Sequence, residues 1–425
     1  MRPLHLDPEA PPPGPFRPQF WRSPLRGPWL TALLGLLLLI GLPVVILTGL
    51  LSNDAYQPGL GGNALGRDSS GPLDFYLFGW PTHPSWLYAA SQGLHVSIGL
   101  ALVPIILVKL WSVIPRLFEW PPVRSPAHAL ERLSLALLVG GILFELVTGI
   151  LNIQYWYLFP FSFVQAHYYG AWVFTGAFVA HVALKFGTMR RSLRTRSEVF
   201  ATGPTEAGGL SVEASSLTAP APAATTFSRR ALLGTMGAGA ALLGLQGAGL
   251  SIGGPFRSLA FLLPRGRTRP GSLGFPVNKT ARAVGITDRQ TGPSWRLTLK
   301  GERQVSLSRE QLMAMPQHAY DLPIACVEGW STTQHWSGVR LGDLAALCGA
   351  RGPVTVTSVS LEHGTFGHAT LGHEQVSDER SLLALRVNDL ALSLDHGYPA
   401  RVISPAVPGV HCTKWVSTMT FTRAA

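Results

Sequence analysis

His167 and His181 stand 14 residues apart in a stretch, about Phe161 to Leu184, that holds no Asp, Glu, Lys or Arg. On a helix, at ~1.5 Å and ~100° per residue, this spacing sets them ~21 Å apart along the axis and within ~40° of one face. Neutral imidazole is a good iron ligand, so one such helix could hold two stacked haems if partner histidines stand at matching depth on a neighbouring helix. His95, inside another apolar stretch, matches His167, and His128, in Ser125-Pro126-Ala127-His128, is the candidate partner of His181. Gly93, Gly99 and Gly170 leave room for a flat macrocycle. A single histidine in a membrane helix also reads as a hydrogen-bonded helix contact; the pair taken with His95 favours haem. Glu145, a lone acid in a further apolar stretch, reads either as a proton relay beside a quinone or haem propionate or as a buried carboxylate paired with a neighbouring helix.

The elements that must position these residues are membrane helices. Only 13% of the 425 residues are charged, about half of the ~25% usual for soluble domains. Five apolar stretches, Trp29 to Leu51, Trp86 to Val108, Leu133 to Ile153, Phe161 to Leu184 and Ala231 to Gly254, are long enough to cross a hydrocarbon core of ~30 Å. The composition argues against a purely soluble protein, and 46 Gly with 34 Pro in no periodic arrangement exclude a collagen-like chain. The flanks of these stretches on one side carry fifteen Lys and Arg against one, Arg67, on the other. Positive loops stay in the cytoplasm, which places the N-terminus inside and, after five crossings, residues 255–425 outside. The expected order is a disordered cytoplasmic tail over 1–27, a four-helix transmembrane haem b bundle over 28–190, a cytoplasmic linker over 191–230, a fifth transmembrane helix over 231–254, and an extracytoplasmic domain over 255–425.

Two resemblances attach to the membrane part. Four spans with His167 and His181 on the fourth resemble the b-type cytochrome subunits of respiratory formate dehydrogenases and hydrogenases, over roughly 28–190. The resemblance implies one or two b haems that pass electrons between the quinone pool and a partner redox centre. Ser228-Arg229-Arg230-Ala231-Leu232-Leu233, ahead of a weakly hydrophobic span, resembles a twin-arginine export signal placed internally; the alternative is an ordinary positive-inside anchor.

After Gly254 the acids return, and short β-like runs such as 295–299 and 354–357 alternate with short helical stretches, which predicts a mixed α+β domain of about 170 residues with its own core. Three cysteines, Cys326, Cys348 and Cys412, cannot make a disulfide framework, and none lies in a CxxC pair. A lone Cys after a strand is by itself more often an inert core residue. The string around Cys326 changes that reading.

Ala325-Cys326-Val327-Glu328-Gly329-Trp330-Ser331, followed by Trp336-Ser337-Gly338-Val339 and Leu341-Gly342-Asp343-Leu344, resembles the molybdopterin-binding fold of sulfite oxidases and of the periplasmic methionine sulfoxide reductase catalytic subunit. The resemblance implies that Cys326 is the thiolate on molybdenum, chemistry that suits a soft donor kept deprotonated by a metal. A second match, His396-Gly397-Tyr398-Pro399-Ala400-Arg401 with His411-Cys412-Thr413-Lys414-Trp415 after it, resembles the family's HG-x-P-x-R stretch and its Lys-Trp. It implies that His396 and Arg401 contact the pterin while Cys412, Thr413 and Lys414 hold its phosphate, which wants a guanidinium, an ammonium and backbone N–H donors. Asn278 and Ser358 match further pterin contacts. The segment after Cys326 offers Glu328 and His335 as proton carriers but no Arg, whereas an anion such as sulfite calls for guanidinium groups.

The expected function is therefore a membrane-bound molybdenum oxidoreductase that passes electrons from quinol through b haems to an external Mo-molybdopterin centre. There an S-oxide or N-oxide, of the methionine sulfoxide type or another small molecule, gives up its oxygen. The alternatives are a sulfite or related dehydrogenase running electrons the other way, and a non-catalytic binding protein with a degenerate molybdenum site. The external domain's 18 basic residues against 12 acids give an ordinary balance, so no nucleic-acid role is expected.

Overall fold

A computed structural model describes residues 11–60, 63, 78–202, 217, 219–220, 223–224, 227–267, 273–364 and 366–424. Five long helices stand where the apolar stretches predict them: α1 Pro28–Ala55, α2 Leu87–Leu117, α3 Pro126–Gln154, α4 Phe163–Thr202 and α5 Arg229–Ile252. All five are long and apolar enough to cross a membrane. Most run beyond the expected spans because hydropathy ends where charge begins while the helical backbone carries on; α2 runs past Lys109, Pro115 and Arg116 to Leu117. In α4 no Gly or Pro occurs between Gly187 and Gly203, and the helix continues through Arg190, Arg191 and Arg194 to Thr202.

The first twelve residues of the expected linker are thus helical. Residues 203–216 of it, with several of 218–226, lie outside the described residues. Within the expected disordered tail, residues 11–27 are described and include a short 3-10 helix, Pro18–Phe20. There Arg26 is buried, donates to the carbonyl of Trp111 at 3.1 Å, and stacks on that indole at 4.3 Å. A buried guanidinium keeps its place by such partners. Residues 1–10 lie outside the described part.

The chain divides into two compact units. The first, Met1–Ile46 with Ile98–Asn152 and Phe163–Gly244, is built mainly of helices among its described residues, and its centre is Leu42, Leu102, Ile106, Ile142, Phe174 and Phe178. Small residues let its helices approach: a Cβ at Gly41 would lie 2.7 Å from the Leu102 side chain, and one at Gly141 would lie 3.2 Å from Phe174.

The second unit, Leu47–Ser97 with Ile153–Ser162 and Leu245–Ala425, contains two five-stranded sheets. One has the order β2-β1-β10-β5-β6, from β1 Arg296–Lys300, β2 Gln304–Ser308, β5 Val354–Ser360, β6 His368–Leu371 and β10 Val416–Arg423. The other joins β3 His318–Ala325, β4 Ser331–Arg340, β7 Leu382–Val387 and β8 Leu390–Ala391, with β9 Arg401–Ile403 paired to β7. Alternation sets the faces: in β1 Leu297 and Leu299 are fully buried while Arg296 and Lys300 are exposed. Strand β7 is central and apolar on both faces, with only Arg386 exposed.

Candidate functional site

Cys326 sits at the tip of the β3–β4 hairpin. The two strands pair from His318 opposite Gly338 to Ala325 opposite Ser331, which leaves residues 326–330 as the loop. The loop closes on itself, Cys326 N–H donating to Trp330 O and Gly329 N–H to Cys326 O, each at 2.9 Å. Gly329 is left-handed at φ +88°, and a Cβ there would lie 2.8 Å from the Val96 side chain, so only glycine fits.

The thiol is buried and receives the side-chain amide of Asn278 at 3.2 Å. Burial, and then the charge of Glu328, push its pKa well above the usual thiol range. A thiolate at this position therefore needs a cation beside it, which a bound metal would provide. Among the described residues no group of three or more His, Cys, Asp or Glu could hold an ion unaided. A metal on Cys326 must bring most of its ligands with it, as one carried by a pterin dithiolene does.

Glu328 is buried beside the thiol and anchors a cluster. Its Oε2 accepts from Trp330 Nε1 at 2.9 Å and from the hydroxyl of Tyr155, and lies 3.7 Å from Arg265 Nε. Arg265 also donates to the Tyr155 hydroxyl, to Val277 O at 2.6 Å and to Asn278 O at 3.3 Å, with its guanidinium over the Tyr155 ring. Tyr155 itself is left-handed at φ 60°, a conformation that costs a non-glycine residue ~1–2 kcal/mol and that its anchored hydroxyl offsets. Arg265 brings to this loop a guanidinium that the segment after Cys326 itself lacks. Its charge is already met by a carboxylate and two carbonyls.

The two C-terminal motifs converge. Val402 N–H donates to Thr413 O at 2.9 Å and Val416 N–H to Ala400 O at 3.1 Å. Lys414 Nζ donates to Lys279 O at 2.5 Å and to Asp395 O at 3.0 Å. Gly397, at φ +108°, lets the two segments touch, since a Cβ there would lie 3.1 Å from Lys414 Cβ. The same segment reaches the cysteine hairpin, where Gly409 N–H donates to Ala325 O at 2.7 Å. His396 is held by Ser393 at 2.7 Å and by Phe275 O at 3.3 Å, and Arg401 donates to His396 O at 3.3 Å. Burial lowers the pKa of Arg401 to about 10, and burial together with the Arg401 charge lowers that of Lys414 to about 7.

Arg401 Nε, Ser358 Oγ, Thr413 Oγ1 and both ring nitrogens of His411 are buried with no hydrogen-bond partner among the described residues. Leaving such groups unpaired costs ~1–3 kcal/mol each, which a polar, phosphate-bearing ligand would recover. The residues present thus fit a molybdopterin. Cys412 is a buried free thiol, and its N–H is engaged with Gly409 O at 3.2 Å.

His335 is placed elsewhere, which corrects its expected role near the metal. It stands opposite Asp321 in the β3–β4 ladder, the two side chains form a 2.8 Å pair, and both are exposed.

The histidines of the apolar helices are seated by a repeated dipeptide. In the second unit His95 Nδ1 lies 3.4 Å from the hydroxyl of Thr48, and a Cβ at Gly49 would lie 3.1 Å from the imidazole. In the first unit His167 Nδ1 lies 2.9 Å from the hydroxyl of Thr148 and 3.0 Å from Glu145 Oε2, with the missing Cβ of Gly149 3.5 Å from the ring. Thr-Gly on the preceding helix does the same work twice. An Nδ1 held by a hydroxyl or carboxylate directs Nε2 to a metal, the usual arrangement of a ligating histidine. His128 lies in the first turn of α3, where Nδ1 accepts from Arg124 N–H at 3.1 Å, and His181 is half-buried on α4.

Arg265, Tyr155 and His411 were not legible as site residues. The first two lie outside any motif, and His411 sat inside the quoted Cys-Thr-Lys string without a role.

Residues 284–425 match the family described as "Oxidoreductase molybdopterin binding domain". The "Uncharacterized oxidoreductase YuiH" of Bacillus subtilis is 29% identical over 164 residues, 37% of this chain and 80% of that protein. The mitochondrial sulfite oxidase of Rattus norvegicus is 31% identical over 143 residues, 27% of this chain and 26% of its own. The NADH nitrate reductase of Volvox carteri is 24% identical over 181 residues, 35% of this chain and 21% of its own. The chain thus spans about a quarter or less of the last two relatives. Its C-terminal part is a molybdopterin oxidoreductase domain of the sulfite oxidase family.

Proposed function

We propose that this chain is a membrane-bound molybdenum reductase, drawing electrons from quinol through b haems and removing the oxygen atom of an S-oxide or N-oxide at an extracytoplasmic site. The observation that carries the reading is Cys326 at the hairpin tip with Asn278 on its sulfur, together with the buried unpaired donors of Ser358, Arg401 and Thr413. In this reading Cys326 binds the metal. Asn278, Ser358, His396, Arg401, Cys412, Thr413 and Lys414 hold the pterin and its phosphate.

The bound group supplies two-electron oxygen-atom chemistry. The chain's own residues do the rest. Glu328, fixed by Tyr155 and Trp330, holds a proton-accepting carboxylate two residues from the thiolate. Arg265 is charge-compensated, which favours a neutral oxide over an anion such as sulfite as substrate.

His95, His167 and His181 are the proposed iron ligands, with His128 the remaining candidate. The doubled Thr-Gly seat supports this; of the glycines expected to make room for a flat ring, Gly99 faces no described atom within 4 Å, whereas Gly93 is filled by Ser251 and Gly170 by Glu145 and Phe144. Five apolar helices support a membrane location, and the Lys/Arg asymmetry supports an inside N-terminus. Exposed Trp156, Tyr157, Phe159 and Phe161 after α3 suit a membrane–water boundary. The proposed parts keep the expected order, with the haem helices over 28–190, a fifth span over 231–254 and the molybdenum domain over 255–425.

The test is to purify the full chain in detergent, reduce it with a quinol analogue, and add S-oxides, N-oxides or sulfite in turn. Reoxidation of a b-type spectrum by a neutral oxide is expected; reduction of the haems by sulfite would support the opposite direction.

A further inference from the structure

Gln92 lies on α2 one turn before His95. Its side-chain amide donates to the carbonyl of Val327, the residue after Cys326, at 2.7 Å. Its oxygen accepts from Ser52 Oγ at 2.8 Å, so the amide is held from both ends and buried. On the other side of His95, Val96 packs against Gly329 of the same hairpin loop. The helix turn that carries a candidate iron ligand therefore grips the loop that carries the candidate molybdenum ligand.

From this juxtaposition we infer that Gln92 is a bridging residue, through which single electrons pass between the His95 turn of α2 and the Cys326 loop. The inference rests on the haem reading above. The route is covalent along α2 and the Gln92 side chain, crosses one hydrogen bond to Val327 O, and continues through the peptide to Cys326. Reduction of an S-oxide consumes two electrons and two protons, breaks the S=O bond and yields a thioether and water. A quinol losing two electrons and two protons balances it, and each electron crosses Gln92 singly.

A plain clamp on the loop would show the same contacts, so the test separates transfer from positioning. Wild-type, Gln92→Met and Ser52→Ala full chains are purified, and their molybdenum content and haem absorption are measured. Quinol-reduced haems are then mixed with methionine sulfoxide, and in parallel turnover is driven by reduced benzyl viologen, a small donor that does not depend on the haems to reach the molybdenum domain. The ratio of haem-driven to viologen-driven rate should fall several-fold in Gln92→Met and less in Ser52→Ala, with metal content and spectra as in wild type. Equal falls in both rates, lost molybdenum, or an unchanged ratio in both variants would overturn the bridge. A wild-type chain without haem absorption would defeat the haem reading itself, a failure visible before any variant is made.

Discussion

Asn278 donates its amide to the sulfur of Cys326 across 48 residues of sequence, at 3.2 Å. A donor on sulfur stabilises thiolate, and the Asn278 carbonyl is in turn held by Arg265. Asn278→Asp, which puts a carboxylate beside the sulfur, should lower molybdenum content more than Asn278→Ala; elemental analysis of the purified chains checks the order.

Thr413 and Ser358 hold buried hydroxyls without hydrogen-bond partners among the described residues. Removing an unpaired hydroxyl from the cofactor-free chain should leave stability unchanged or raise it by up to ~1–3 kcal/mol. Thr413→Val and Ser358→Ala should therefore keep or raise the Tm of cofactor-free protein while reducing bound pterin. A loss of both would make these residues structural.

Burial lowers the pKa of His411 to about 4, and burial with the Arg401 charge does the same to His396. In the unfolded chain both titrate near ~6.5. Between those values the unfolded chain binds protons that the folded one does not, so stability falls as pH drops from ~6.5 towards about 4. Thermal unfolding across that range should show the decline, with a shallower slope in His411→Asn.

His335 and Asp321 form an exposed cross-strand pair, of a kind worth ~0–1 kcal/mol. His335→Ala should leave turnover and molybdenum content close to wild type, whereas Glu328→Gln should reduce turnover strongly. A large loss at His335 would return it to the site.

The legible parts of this molecule were those written contiguously. The five apolar helices follow from hydropathy, and the Cys326 string and the Arg401 and Lys414 motifs each sit within about twenty residues of sequence. What surrounds Cys326 was not legible, because Tyr155 reaches Glu328 across 173 residues and Gln92 reaches Val327 across 235. Neither belongs to a pattern of period 2 or 3.6; each is polar at the end of an apolar helix, where solvent-facing residues are equally common. The end of α4 escaped for another reason, since Arg- and Ser-rich sequence reads as linker although nothing in it breaks a helix.

The central claim, a protein thiolate on molybdenum, is tested most directly by X-ray absorption at the molybdenum edge in wild-type and Cys326→Ser full chains. The account predicts one sulfur neighbour fewer in the variant, with turnover abolished and the haem spectrum intact. An unchanged sulfur count would contradict it.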